Sequence, residues 1–142
     1  MYDQICMASG KQWARRNMGM IGNVEYRKEQ MFLADKIRVM FPECDVKLEE
    51  PLENLLTIDE ISCRFCVLDI LVLSNTRKVA IRMMGEIHGG NKKALKDEDQ
   101  KIVLEGNGYD VKDVWWDQYP EFWNPRKFDE VKIDQSVREV MS

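Results

Sequence analysis

The sequence has no run of ~18 consecutive apolar residues, which excludes a membrane-spanning helix. Its opening stretch, MYDQICMASGKQW, has no apolar segment of the kind a signal peptide needs, so a soluble, cytoplasmic protein is expected. Basic charge is also in short supply: 21 Lys and Arg stand against 25 Asp and Glu, a net charge of −4. That balance does not help a nucleic-acid binder that relies on releasing counterions from phosphates, so any such contact must come from local clusters. Four cysteines occur at 6, 44, 63 and 66, and Cys63 and Cys66 have no second pair at zinc-like spacing. Reduced core thiols are expected. Histidine occurs once, at position 88. What is present suits one domain with a sizeable core: 142 residues, 44% of them hydrophobic.

The most informative stretch is FCVLDILVLSNTRKVAIRMMGEIH, residues 65–88. Two apolar runs, Phe65 to Leu73 and Lys78 to Met84, flank Ser74-Asn75-Thr76-Arg77 and predict a β-hairpin. Asp69 interrupts an otherwise aliphatic run, and a buried carboxylate needs a partner or a metal. With Asn75-Thr76 as a two-residue loop, Ser74 faces Arg77 and Asp69 falls opposite Arg82. Strand alternation then puts Asp69, Arg82 and Met84 on one face. Gly85 ends the strand, and Glu86 and His88 are expected to converge with them at one end of the hairpin.

Residues 1–22 read as a loose basic arm carrying Lys11, Arg15 and Arg16, with Trp13 as an anchor. A helix is predicted from Asn23, with Tyr26, Leu33, Ile37, Met40 and Phe41 at helical spacing and Pro42 as its stop. Glu29 lies on the edge of that apolar stripe, either as an ordinary surface carboxylate or as one turned to a site. CDVKLEEPLENLLTIDE, residues 44–60, reads as an acidic connection holding a short strand near Val46 to Leu48 and a helical turn at Leu52 to Leu56. After Gly89-Gly90-Asn91 a Lys-rich helix is expected from Lys93 to Asn107, stopped by a left-handed Gly108. Asp97 and Gln100 share a face of it that looks toward the hairpin. Tyr109 to Trp116 forms the next strand. A strand, helix, strand order in one sheet implies a parallel pair, hence a mixed α/β sheet. The tail, 117–142, offers YPEFWNP and a short amphipathic helix within Arg126 to Met141; its aromatics either seal a core edge or present a surface.

The Asp-bearing strand, the turn, the second strand closing on Gly85 and His88, and the Lys-rich helix running into LEGNGYDVKDVWW resemble the restriction-endonuclease-like, PD-(D/E)XK, nucleases. Within that superfamily the likeness is to the branch of the very short patch repair endonucleases. Asp69 fits its first motif position; Ile81, Gly85 and His88 fit the second segment; Lys96, Asp97, Leu104, Gly108, Tyr109 and Val111 fit the third. The likeness covers roughly residues 24–116, so 23–116 is the implied nuclease-like domain. It implies a three-layer α/β fold with a central mixed sheet flanked by helices, and DNA endonuclease activity with Mg²⁺ or Mn²⁺. Asp69, Glu29 and Glu86 would be metal ligands, and His88 a general acid or base or a donor to the phosphate. Arg82, Lys92, Lys93 and Lys96 would contact the nucleic acid. Arg82 and Met84 depart from the usual pattern, in which this strand carries carboxylates, and Gln100 stands where the helix usually has Arg.

Two other readings stay open. In one, the chain is a nuclease-derived module without catalysis, in which Arg82 neutralises Asp69 and the domain binds nucleic acid or a protein partner. In the other, an unrelated α/β protein carries the hairpin by chance. Arg82 discriminates the first two: a direct pair with Asp69 marks a retired site, and a turned-away or phosphate-facing Arg82 an active one.

Overall fold

The computed structural model describes residues 27–63, 66–85 and 90–142, with side chains of the last segment described from residue 96 onward. The expected basic arm and residues Glu86 and His88 lie outside the described residues, as do the side chains of Lys92 and Lys93. Helix α1 (Lys28–Met40) is followed by strands β1 (Asp45–Leu52), β2 (Cys66–Leu73) and β3 (Lys78–Met84). Helix α2 (Gly90–Gly106), strand β4 (Asp110–Trp115), a single-turn helix α3 (Pro120–Trp123) and helix α4 (Glu130–Met141) complete the order. The strands form one sheet in the order β1-β2-β3-β4. β1, β2 and β3 are antiparallel neighbours, and β4 joins β3 in parallel. The fold is therefore α/β with a four-stranded mixed sheet.

Apolar residues cover both faces of that sheet. On one face, Leu33, Ala34 and Ile37 of α1 meet Ile70, Val72, Val79, Ile81 and Met83. Phe122 of α3 and Ile133, Val137 and Val140 of α4 close the same cluster. On the other face Leu104 of α2 packs with Leu52, Cys66, Leu68, Leu71, Ala80 and Val111. Helices thus lie on both faces, an arrangement compatible with three layers. The aromatic segment splits between the two expected roles: Phe122 is buried and stacks with Tyr119 at 5.6 Å, whereas Trp116 is exposed.

Several boundaries differ from expectation for local reasons. The described part of α1 begins at Lys28, with Arg27 in extended conformation before it. β1 runs to Leu52 through Pro51, which an edge strand tolerates because its missing N–H need not pair. The helical turn expected at Leu52 to Leu56 does not form. Instead Leu56 N–H donates to the Asn107 side chain at 2.8 Å, and Asn107 donates back to Leu56 O at 3.0 Å. Gly108, at φ 90°, is the left-handed residue beyond α2, as its position in the sequence implied. The two-residue hairpin loop also forms: Ser74 N–H donates to Arg77 O at 2.9 Å, and the register runs from Leu73 opposite Lys78 to Ile70 opposite Ile81.

Candidate functional site

A break in strand alternation positions the site. Along β1, Val46 and Leu48 pack toward α1, but Leu52 packs toward α2. Along β2, Ile70 and Val72 pack toward α1, but Leu68 and Cys66 pack toward α2. Both strands exchange faces at one step, between the pairs Leu48 with Ile70 and Glu50 with Leu68. The residues at that step are Glu49 and Asp69. Glu49 has φ 49°, a left-handed conformation that a residue with a Cβ adopts at a cost on the order of 1 kcal/mol or more. The Asp69 backbone carbonyl accepts a 2.7 Å hydrogen bond from Gln30 Nε2 of α1.

The expected sharing of a face by Asp69 and Arg82 is therefore corrected. One Asp69 oxygen, Oδ2, accepts from the Met83 backbone N–H at 2.7 Å. The other, Oδ1, lies 3.4 Å from Nη2 of Arg27, and Nε of the same guanidinium lies 3.6 Å from Glu29 Oε2. Arg27 thus spans the two carboxylates that the sequence nominated. Arg82 turns to the opposite face and is buried there. Its Nε and Nη2 donate to Asp113 Oδ1 and Oδ2 at 2.6 and 2.8 Å. Nη1 donates to the Asp97 carbonyl at 2.7 Å and to Gln100 Oε1 at 3.1 Å. So engaged, this guanidinium ties β3 to β4 and α2 and is not presented to a phosphate. Asp97 and Gln100 do look toward the hairpin, but what they meet is Arg82.

The remaining nominated residues fall into two groups. Lys96 is exposed on α2. Met84 is only partly buried at the end of β3, beside Gly85 and the undescribed Glu86 and His88. The thiols of Cys63 and Cys66 interact; the neighbouring Cys63 and then burial push the Cys66 thiol up. Cys66 Sγ also accepts from Gln100 Nε2 at 3.1 Å. Both cysteines behave as the reduced, partly or fully buried thiols expected.

Electrostatics around the face exchange are strained. Burial pushes the Asp69 carboxyl above the usual range; the Met83 N–H and the charges of Arg27 and Arg82 oppose that rise, and Glu29 adds to it. Glu49 is pushed up to about 7, first by desolvation and then by the charge of Asp69, against Arg27 and the Gln30 amide. Glu49 is an exposed residue, so solvent screening tempers this rise. Gln30 is fully buried, and its Oε1 has no hydrogen-bond partner among the described residues. Arg27, Gln30 and Glu49 were not singled out from the sequence. The available signal was the Glu29-Gln30 pair on the helix edge; Glu49 was hidden in what read as an acidic connection.

A pH dependence follows. Because folding raises the Glu49 pKa, the folded chain holds a proton that the unfolded chain loses above about 4.5. Stability is then fully present below about 4.5 and is lost as the pH rises toward about 7. Allowing for solvent screening, a loss of about 1 kcal/mol and a fall in melting temperature of about 2–4 °C are expected. Scanning calorimetry between these pH values checks this, and Glu49→Gln should flatten the slope.

Among the described residues no helix is long and apolar enough to cross a membrane. Comparison with known protein families, curated proteins and solved structures finds no match.

Proposed function

We propose that this chain is a DNA endonuclease of the restriction-endonuclease-like, PD-(D/E)XK, type, hydrolysing phosphodiester bonds with Mg²⁺ or Mn²⁺. The observation that carries the reading is the meeting of Glu29 from α1 and Asp69 from β2 on one guanidinium, since these are the two carboxylates the resemblance brings to an active site. The element order supports it: a helix, three antiparallel strands, a second helix and a fourth strand parallel to the third.

The donor chemistry suits a hard divalent ion. The carboxylates of Asp69 and Glu29 are oxygen donors, which Mg²⁺ and Mn²⁺ favour. Among the described residues no three carboxylate, thiol or imidazole side chains group closely enough to hold an ion by themselves. An ion held by Asp69 and Glu29 would keep several waters, as Mg²⁺ usually does. When bound, it would supply an activated water and neutralise charge on the scissile phosphate. The chain's own part is to hold the ligands. The Met83 N–H fixes one Asp69 oxygen and leaves the other directed at the shared position. Lys96, with Lys92 and Lys93 on the same helix, would offset backbone phosphates, and His88 and Glu86 follow directly after β3. Arg82, being enclosed, is dropped from the DNA-contacting set.

One observation favours a second reading. Arg27 already sits where a cation would balance Asp69 and Glu29, as in a nuclease-derived module that binds nucleic acid or a protein without cutting. Incubation of supercoiled plasmid and of labelled branched and mismatched duplexes with Mg²⁺ or Mn²⁺ separates the two. Cutting by the chain that disappears in Asp69→Ala supports the endonuclease. Absence of cutting by the correctly folded chain favours the binding module.

A further inference from the structure

We infer that Cys63 and Cys66 form a redox-active dithiol, in which Cys63 exchanges with small-molecule disulfides of the glutathione type and Cys66 resolves the product into a Cys63–Cys66 disulfide. The inference does not depend on the endonuclease reading, because it uses a different group of side chains on the α2 face of the sheet.

Three observations place the two sulfurs for this chemistry. The first is proximity. Both cysteines pack on one apolar cluster: Cys66 is buried inside it with Leu52, Leu68 and Leu104, and Cys63 lies against its edge. A separation of three residues keeps their Cα atoms within ~10 Å even in extended chain, and the two thiols interact. The second is that the Cys66 sulfur is held in place. It accepts from Gln100 Nε2 at 3.1 Å, and Gln100 is itself held by Arg82 through Oε1 at 3.1 Å. The third is unequal access. Cys66 is buried whereas Cys63 is partly open to solvent, so a dissolved disulfide reaches Cys63 first.

The electrostatics of the pair fix the order of events. A thiolate is the nucleophile in exchange, and two adjacent thiols do not both ionise readily. Desolvation is smaller at the partly open Cys63, so the first proton leaves there; the neighbouring Cys63, together with burial, holds the proton on Cys66. The Cys63 thiolate attacks one sulfur of the small disulfide, forming a new S–S bond and expelling one thiolate. Once capped, Cys63 carries no charge, and the largest influence keeping the proton on Cys66 is gone. Cys66 then gives its proton to solvent and attacks the Cys63 sulfur, expelling the second thiolate. Two protein thiols become one disulfide, one small disulfide is reduced to two thiols, and the two protons released by the protein end on the departing thiolates. Excess glutathione reverses both steps.

The test is equilibration of the full chain in anaerobic glutathione buffers of decreasing thiol-to-disulfide ratio, followed by acid quenching, blocking of the remaining thiols with N-ethylmaleimide under denaturing conditions, and mass spectrometry of tryptic peptides. Trypsin cuts after Lys47, Arg64 and Arg77, so it separates the two cysteines, and their disulfide joins peptides 48–64 and 65–77. Wild type should yield that joined pair, lost on reduction, in preference to any link with Cys6 or Cys44. Cys66→Ser should stop at a mixed disulfide of Cys63 with glutathione. Cys63→Ser should react at Cys66 at least about 10-fold more slowly than wild type reacts at Cys63, because enclosure limits attack. That difference should vanish in denaturant. Circular dichroism checks that each variant is folded. A wild-type chain with Cys63 and Cys66 both labelled by N-ethylmaleimide in the most oxidising buffer would overturn the inference. So would joined peptides in which Cys6 or Cys44 replaces one of the two partners, or a folded Cys66→Ser chain that forms no mixed disulfide.

Discussion

Replacing Arg82 with alanine should destabilise the fold by about 3–5 kcal/mol, the usual cost of removing one partner of a buried ion pair. At ~2–4 °C per kcal/mol for a chain of this size, the melting temperature should fall by roughly 10 °C. The reason is the number of groups that depend on one side chain. Asp113 receives two close hydrogen bonds from the Arg82 fork, and the Asp97 carbonyl and Gln100 Oε1 each accept from its remaining nitrogen. Alanine leaves a partly buried carboxylate and two acceptors without that donor, at the seam where α2 meets the parallel pair β3 and β4. Pairing Arg82→Met with Asp113→Leu should recover part of the loss, because the unpaired charge goes with its partner. Thermal unfolding of the single and double variants measures both quantities. A melting temperature within about 1 °C of wild type for Arg82→Ala would show that the fork is not holding the seam.

Asp69→Asn separates activity from stability. Asparagine keeps an oxygen to accept the Met83 N–H, so the strand geometry survives. It removes a charge that burial already disfavours and that faces Glu49. The melting temperature should therefore hold or rise. On the endonuclease reading, metal-dependent cleavage should drop about 10²–10³-fold or below detection, the scale on which loss of one electrostatic stabiliser slows a reaction. A variant that is more stable and inactive is the mark of a residue kept for chemistry at the expense of the fold. Plasmid cleavage rates and calorimetry on the same preparation give both numbers. A large loss of stability would instead make Asp69 a structural residue bound to Arg27 and β3.

The hairpin was legible in the sequence because its determinants are local. Asn75-Thr76 fixes the loop, the loop fixes the register, and aliphatic runs fix the strands. The mixed sheet followed from the strand, helix, strand order ending in Tyr109 to Trp116. The failure was an assumption of unbroken alternation through Asp69. Period-2 reasoning carries Asp69 to the face of Arg82 only if no residue between them leaves the regular strand conformation, and the disturbance begins in β1, at Glu49, more than a dozen residues upstream. Nothing within β2 announces it. Pro51 concealed β1 further, since a proline beside acidic residues reads as connection until the strand is known to lie at the sheet's edge. Asp113 was overlooked for a related reason: on β4 it looks like the polar half of an amphipathic strand, and only parallel pairing with Arg82 gives it a partner. Glu29 was legible because helical spacing put it beside the apolar stripe.

The simultaneous face exchange of β1 and β2 also bears on how the sheet avoids misassembly. In an ordinary antiparallel pair a slip of two residues preserves the inside and outside of both strands and loses only a few contacts, so such errors are weakly penalised. Here the reversal points on the two strands must coincide. Sliding β1 by two residues would leave Leu48 or Leu52 facing the wrong helical layer while Glu49 lost its place opposite Asp69. The edge strand is thereby keyed to its neighbour much as a notch admits a tooth at one position.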